Sequence, residues 1–133
     1  MNRTAFERLV EKTLETLPTE YAGRLHNLVF LIEDWADPAT LAEVGIDDPA
    51  ELLGFYNGTP LTERSHDQID PGPDRITLYH GAIELQARLS GLPVRQVIRE
   101  TLWHEIAHYF GFSEEEMDLI EVFWADRSFP ESR

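Results

Sequence analysis

Thr101-Leu-Trp-His104-Glu105-Ile-Ala-His108-Tyr-Phe-Gly111 is the stretch on which the reading of this chain turns. It contains H-E-x-x-H, followed by a glycine three residues beyond the second histidine. Residues four apart lie on one face of an α-helix, so His104 and His108 can present two imidazoles to a single metal ion. Glu105 sits beside the first histidine without belonging to the ligand pair, where a base for a metal-activated water is needed. The flanking residues predict the helix that this geometry requires. Leu92-Pro93 supplies a start, since proline is tolerated in a first helical turn. Val94, Val97, Ile98, Leu102, Ile106 and Ala107 recur at three- and four-residue spacings, as a core-facing helix demands. Gly111 is placed to end it in the left-handed conformation.

Two histidines do not complete a zinc site, which ordinarily takes three protein ligands and a water. The chain has no cysteine, so any metal must be held by nitrogen and oxygen. The nearest carboxylates are Glu114-Glu-Glu116 and Asp118. The longer pattern H-E-x-x-H-x-x-G-x-x-H puts a third ligand three residues past the glycine, which here is Glu114. Asp118 lies one helical turn further along the same face and competes with it. Glu114 is preferred on spacing. Ser113-Glu-Glu-Glu116 also reads as a capping box, a structural use that suits Glu115 and Glu116 better than ligation does.

The whole composition narrows the partners. A chain of 133 residues fits one domain, and 42% hydrophobic with 27% charged residues is ordinary for a globular protein. A formal charge of −14 argues against nucleic acid or an anionic membrane as the main partner. Met1-Asn-Arg-Thr-Ala-Phe-Glu-Arg8 does not open an apolar signal segment, and no run approaches membrane-spanning length. A soluble, cytoplasmic protein is the expectation.

Residues Arg3 to Leu17 predict a first helix, with Phe6, Leu9, Val10, Thr13, Leu14 and Leu17 as its apolar stripe and Pro18 at its end. Asn27-Leu-Val-Phe-Leu-Ile32 predicts a buried strand. The acids of Glu33-Asp-Trp-Ala-Asp-Pro38 lack the spacing and glycine of a calcium loop. Ala39 to Val44 predicts a short helix. Leu52-Leu-Gly-Phe-Tyr56 runs into Asn57-Gly58, the strongest hairpin signal in the chain. Thr62 to Asp74 reads as an exposed loop; Ser65-His66-Asp67 within it is not a triad, because consecutive side chains rarely converge. Arg75 to His80 alternates as a strand, with Ile76, Leu78 and His80 on one face and Thr77 and Tyr79 on the other. A bend at Gly81 and a helix over Ala82 to Leu89 follow, and a last helix runs from the capping box to about Trp124. The order predicts a single α+β domain.

His104-Glu-Ile-Ala-His-Tyr-Phe-Gly-Phe-Ser-Glu-Glu-Glu-Met117 resembles the signature of the small bacterial zincin-like metallopeptidases. Leu52-Leu-Gly-Phe-Tyr56, Gly58-Thr-Pro-Leu-Thr-Glu-Arg64 and Ile76-Thr-Leu-Tyr-His80 are similar to segments of that family as well. The resemblance implies a zincin fold, a small mixed sheet packed on helices, with one zinc ion per chain and hydrolysis of a peptide or protein substrate with Glu105 as general base. Family members usually carry aspartate where this chain has Glu114. For substrate, the strand Arg75 to His80 is expected to add an extended peptide to its edge, making Thr77, Tyr79 and His80 the substrate-binding candidates. Tyr79, His80 and Tyr109 are candidates to stabilise an oxyanion. A second function class stays open: a metal- or peptide-binding regulatory module that keeps the fold and turns over nothing.

Overall fold

The computed structural model describes residues 1–17, 25, 27–58, 73–113 and 115–118. Helix α1 spans Arg3–Glu15 and is capped by Asn2, whose side chain accepts from the Ala5 amide at 2.8 Å. Its predicted stripe faces inward, with Phe6, Val10 and Thr13 buried. Strand β1 is Leu28–Glu33, helix α2 is Pro38–Val44, and a 3₁₀ turn covers Pro49–Glu51. Strands β2, Gly54–Asn57, and β3, Asp74–Tyr79, precede helices α3, His80–Ser90, and α4, Val94–Phe110. Residues 115–118 are helical.

The sheet has the order β1-β3-β2, parallel between β1 and β3 and antiparallel between β3 and β2. The last strand in sequence is therefore the middle one, and its burial follows. Ile76, Leu78 and Tyr79 are almost fully covered. Ile76 and Leu78 join α1, α3 and α4 in the main core, through Phe6, Val10, Ile83, Ile98, Leu102 and Ile106. Tyr79 belongs to a smaller cluster with Ala36, Leu41, Leu52 and Ala82. Helix α4 is the central pillar: Ile98, Leu102 and Ile106 are each 0% exposed. Each such side chain contributes about 1.5–3 kcal/mol when fully buried. Among the described residues, no helix is long and apolar enough to cross a membrane.

Four expectations are corrected. β1 is half-buried rather than buried: it occupies an outer position in the sheet, and Val29 and Leu31 on its outward face stay exposed. A long apolar run does not distinguish a two-sided from a one-sided strand, because only neighbours decide coverage. Asn57-Gly58 is not a two-residue hairpin. Asn57 ends β2 opposite Arg75, and neither residue has the positive φ that such a turn needs. Gly58 answers a different demand, since a Cβ there would lie 2.3 Å from the Asp74 carboxyl carbon. The Asp74 carboxylate, buried in that space, accepts a hydrogen bond from the Tyr56 hydroxyl at 2.6 Å. His80 leaves the strand and starts α3, and the helix runs straight through Gly81 without a bend. Finally, the edge assigned to an added peptide does not exist on β3, which is paired on both sides.

Candidate metal centre

The C-terminal half of helix α4 carries the site, and nearly everything else on that half is committed to packing. From Thr101 to Phe110 every residue is buried except His104 and His108, which are half-buried. The fold thus wraps this half of the helix and leaves it partly open only at the two imidazoles. Their ring centroids are 4.6 Å apart, with the planes at 67°. Gly111, at φ 79°, ends the helix in the left-handed region that side chains other than glycine rarely occupy. Its amide donates to the His108 carbonyl at 3.0 Å, and the Phe112 amide donates to Ala107 at 3.1 Å. The turn carrying His108 is therefore closed, and its imidazole projects from rigid backbone.

Glu105 is only 7% exposed. A buried carboxylate is costly unless it is paired. Here its Oε1 lies 3.3 Å from His108 Nδ1, a contact one turn along the helix. On its other side β2 comes close: a Cβ on Gly54 would sit 3.3 Å from Glu105 Cγ and 2.7 Å from the Thr101 methyl. The carboxylate is thus held between the second histidine and the strand.

His104, Glu105 and His108 form a group whose ligand atoms all lie within 4.8 Å of one another, the one such group among the described residues. Imidazole nitrogens at about 2 Å from a shared zinc ion fall within about 4 Å of each other, so the spread asks only for side-chain rotation. Two nitrogens with a neighbouring carboxylate suit a borderline ion such as zinc, and the absence of thiolates is no obstacle. The residues present fit the metal.

The remaining candidates separate. Glu114 lies outside the described residues. Glu116 is engaged in the capping box, its Oε1 accepting from the Ser113 amide at 3.0 Å while its own amide donates to Ser113 Oγ at 3.1 Å. Asp118 is exposed on the same helical turn and does not enter the group around His104. Thr77, Tyr79 and His80 are buried, at 8, 3 and 9% exposure. Burial and the nearby charges of Glu33, Asp37 and Glu105 raise the Tyr79 phenol above its ordinary value. His80 stacks on Phe6 at 4.5 Å between centroids and places Nε2 3.3 Å from Glu84. Tyr109 is 1% exposed and meets Tyr56 edge-on at 6.1 Å. Gly54 and Thr101, which bound Glu105, were not among the residues singled out from sequence. A glycine inside a predicted strand was the available signal, since it marks close approach of another element.

No curated protein matches the chain at a significant level. The profile of the family described as "Zincin-like metallopeptidase" matches residues 25–124, which takes in all three strands, the helix α4 and the His104-Glu105-x-x-His108 motif. The match covers well over half of the chain, and with the mixed helical and three-stranded fold it establishes that this protein belongs to the zincin-like metallopeptidase family.

Proposed function

We propose that this chain is a zinc-dependent peptidase that holds one zinc ion through His104 and His108, with Glu114 preferred to Asp118 as the third protein ligand. The observation that carries the reading is the partial exposure of the histidine pair on α4. Between Thr101 and Phe110 the helix is buried except at two histidines four residues apart, which gives those histidines a use beyond packing. A zinc ion bound there supplies a Lewis acid that polarises a peptide carbonyl and makes a water molecule easier to deprotonate. Glu105 accepts the proton from that water as its oxygen adds to the carbonyl carbon. As the C–N bond breaks, Glu105 passes the proton to the departing amine, which completes the hydrolysis. Burial suits Glu105 to this task, because a carboxylate excluded from bulk water interacts more strongly with the groups around it.

We place the substrate along β2 rather than β3. Among the described residues β2 pairs on one side only, and it is the strand packed against the motif helix beside Glu105. An extended peptide added along β2 brings its backbone past the base, whereas β3 has no open side.

The test uses zinc-loaded protein on a peptide library, with chelator and Glu105→Gln as paired controls. Glu105→Gln keeps nearly the same size and cannot take up the proton, so zinc should remain bound. Hydrolysis should fall on the order of a hundred- to ten-thousand-fold. Cleavage at the wild-type rate in Glu105→Gln would assign the activity to a contaminant. Silence of the wild type across metals and peptides would leave a metal-binding module.

A further inference from the structure

We propose that Gly54 is a positioning residue for Glu105: the missing side chain on β2 sets how far the carboxylate sits from the second histidine. The inference rests on the peptidase reading for its consequence in rate, and on packing alone for the placement.

The contact cannot relax cheaply from either side. A Cβ at Gly54 would lie 2.7 Å from Thr101 Cγ2, 3.3 Å from Glu105 Cγ and 3.4 Å from Leu78 Cδ2. The first distance is closer than real methyl contacts allow, so something must move. The Thr101 side chain is β-branched, with few rotamers open to it on a helix. Its hydroxyl donates to the Val97 carbonyl at 2.8 Å, which keeps the methyl pointed at β2. Nor can β2 withdraw, because Gly54 pairs with Leu78 in the ladder and the neighbouring Leu53 carbonyl accepts from the Tyr79 amide at 2.9 Å. Backbone conformation is not the constraint, as Gly54 has no positive φ.

What yields is the seam between β2 and α4, and Glu105 lies on it. One turn of helix separates Thr101 from Glu105, so pressure on the threonine methyl and on the glutamate Cγ acts on the same face. His104 and His108 are half-buried, whereas Thr101 and Glu105 are buried against β2. Widening the seam therefore changes the position of the carboxylate relative to His108, now 3.3 Å apart, with little demand on the histidine pair.

Gly54→Ala, Thr101→Ser and the double variant test this. The ¹³C signal of the Glu105 side-chain carboxyl, assigned by its loss in Glu105→Gln, reads the placement without any assay of activity. In Gly54→Ala that signal should move, while zinc affinity measured by chelator competition stays within about twofold of wild type. The kcat for peptide cleavage should fall roughly ten- to a hundredfold with KM little changed, the cost of misplacing a reacting group by a fraction of an ångström to an ångström. Adding Thr101→Ser removes the methyl at 2.7 Å, so the signal and kcat should return most of the way toward wild type. If Gly54→Ala fails to fold, the double variant carries the test, since it retains the contact with Glu105 Cγ at 3.3 Å. Its Glu105 signal must then differ from that of Thr101→Ser. A Glu105 signal and kcat unchanged in Gly54→Ala, or zinc affinity lost along with them, overturns the proposal. A wild type that cleaves nothing overturns the peptidase reading alone, because the carboxyl signal still decides the placement.

Discussion

The case for His104 and His108 as metal ligands rests on what surrounds them. Side chains on the same helical turn are spent on packing, and these two are left half-buried. His104→Ala or His108→Ala should therefore abolish tight zinc binding while the helix, whose anchors are Ile98, Leu102 and Ile106, keeps its helicity. Isothermal titration beside circular dichroism separates the two effects. The third ligand is tested the same way. Glu114→Ala is expected to weaken zinc affinity far more than Asp118→Ala, because a neighbour contributes at most an outer-shell contact. Loss of the metal in Asp118→Ala alone would reverse that order. All three motif residues could be read from the chain, since a helix converts a spacing of four directly into proximity. Gly54 could not be paired with Glu105 in this way, because 51 positions separate them in sequence and only the packing of β2 on α4 joins them.

Helices were the elements best legible in the sequence, and the caps explain why. Asn2, the Ser113–Glu116 box and Gly111 all perform as their residue types predict, since a cap depends on neighbours within one turn. Helix α2 offers a test of this local chemistry. Its N-cap, Asp37, accepts from the Thr40 amide at 2.7 Å, and that backbone hydrogen bond holds the carboxyl below its ordinary value. A lowered folded-state pKa means the charged cap stabilises the fold fully above the ordinary carboxylate value. That stabilisation is lost as pH falls through the lower, folded-state value. Asp37→Asn retains an acceptor and drops the charge, so it should melt below wild type at neutral pH. The gap should close in acid, as pH falls below 3.8. Melting temperatures of both proteins across that range check the sign; a gap that widens in acid would contradict it. Strands were less legible. Asn57-Gly58 carries the residues of a tight turn, yet its glycine makes room for the Asp74 carboxylate, a contact across the sheet that no local pattern encodes.

At the scale of the molecule, the metal is expected to act as a stabilising ligand as well as a cofactor. Ion bound to the native state and not to the unfolded chain adds about 2.7 kcal/mol at a free concentration a hundredfold above its dissociation constant. For a chain of this size that is on the order of 10 °C in melting temperature. Differential scanning calorimetry with zinc and then with excess chelator should show the rise and its reversal. The variants lacking His104 or His108 should not respond. An unchanged melting temperature in zinc-loaded wild type would speak against tight binding to the folded protein.

What the sequence by itself determined was what lives within one or two helical turns: the histidine pair, the adjacent glutamate, the helix beneath them and its glycine stop. It also determined the α+β class, because periods of two and of three to four alternate along the chain. The tertiary structure alone decided which strand is central. Arg75 to His80 reads as an alternating strand with an edge free for a peptide, but β1 and β2 pair on both sides of β3, so β2 is the strand with an unpaired edge among the described residues. Strand order depends on pairings between segments distant in sequence, and a strand's own residues specify which faces are apolar without naming the neighbours. The same is true of the partial exposure of the histidine pair on α4. Each apolar residue announces that it will be buried, but only the packed molecule shows that His104 and His108 are the two residues between Thr101 and Phe110 left half-buried.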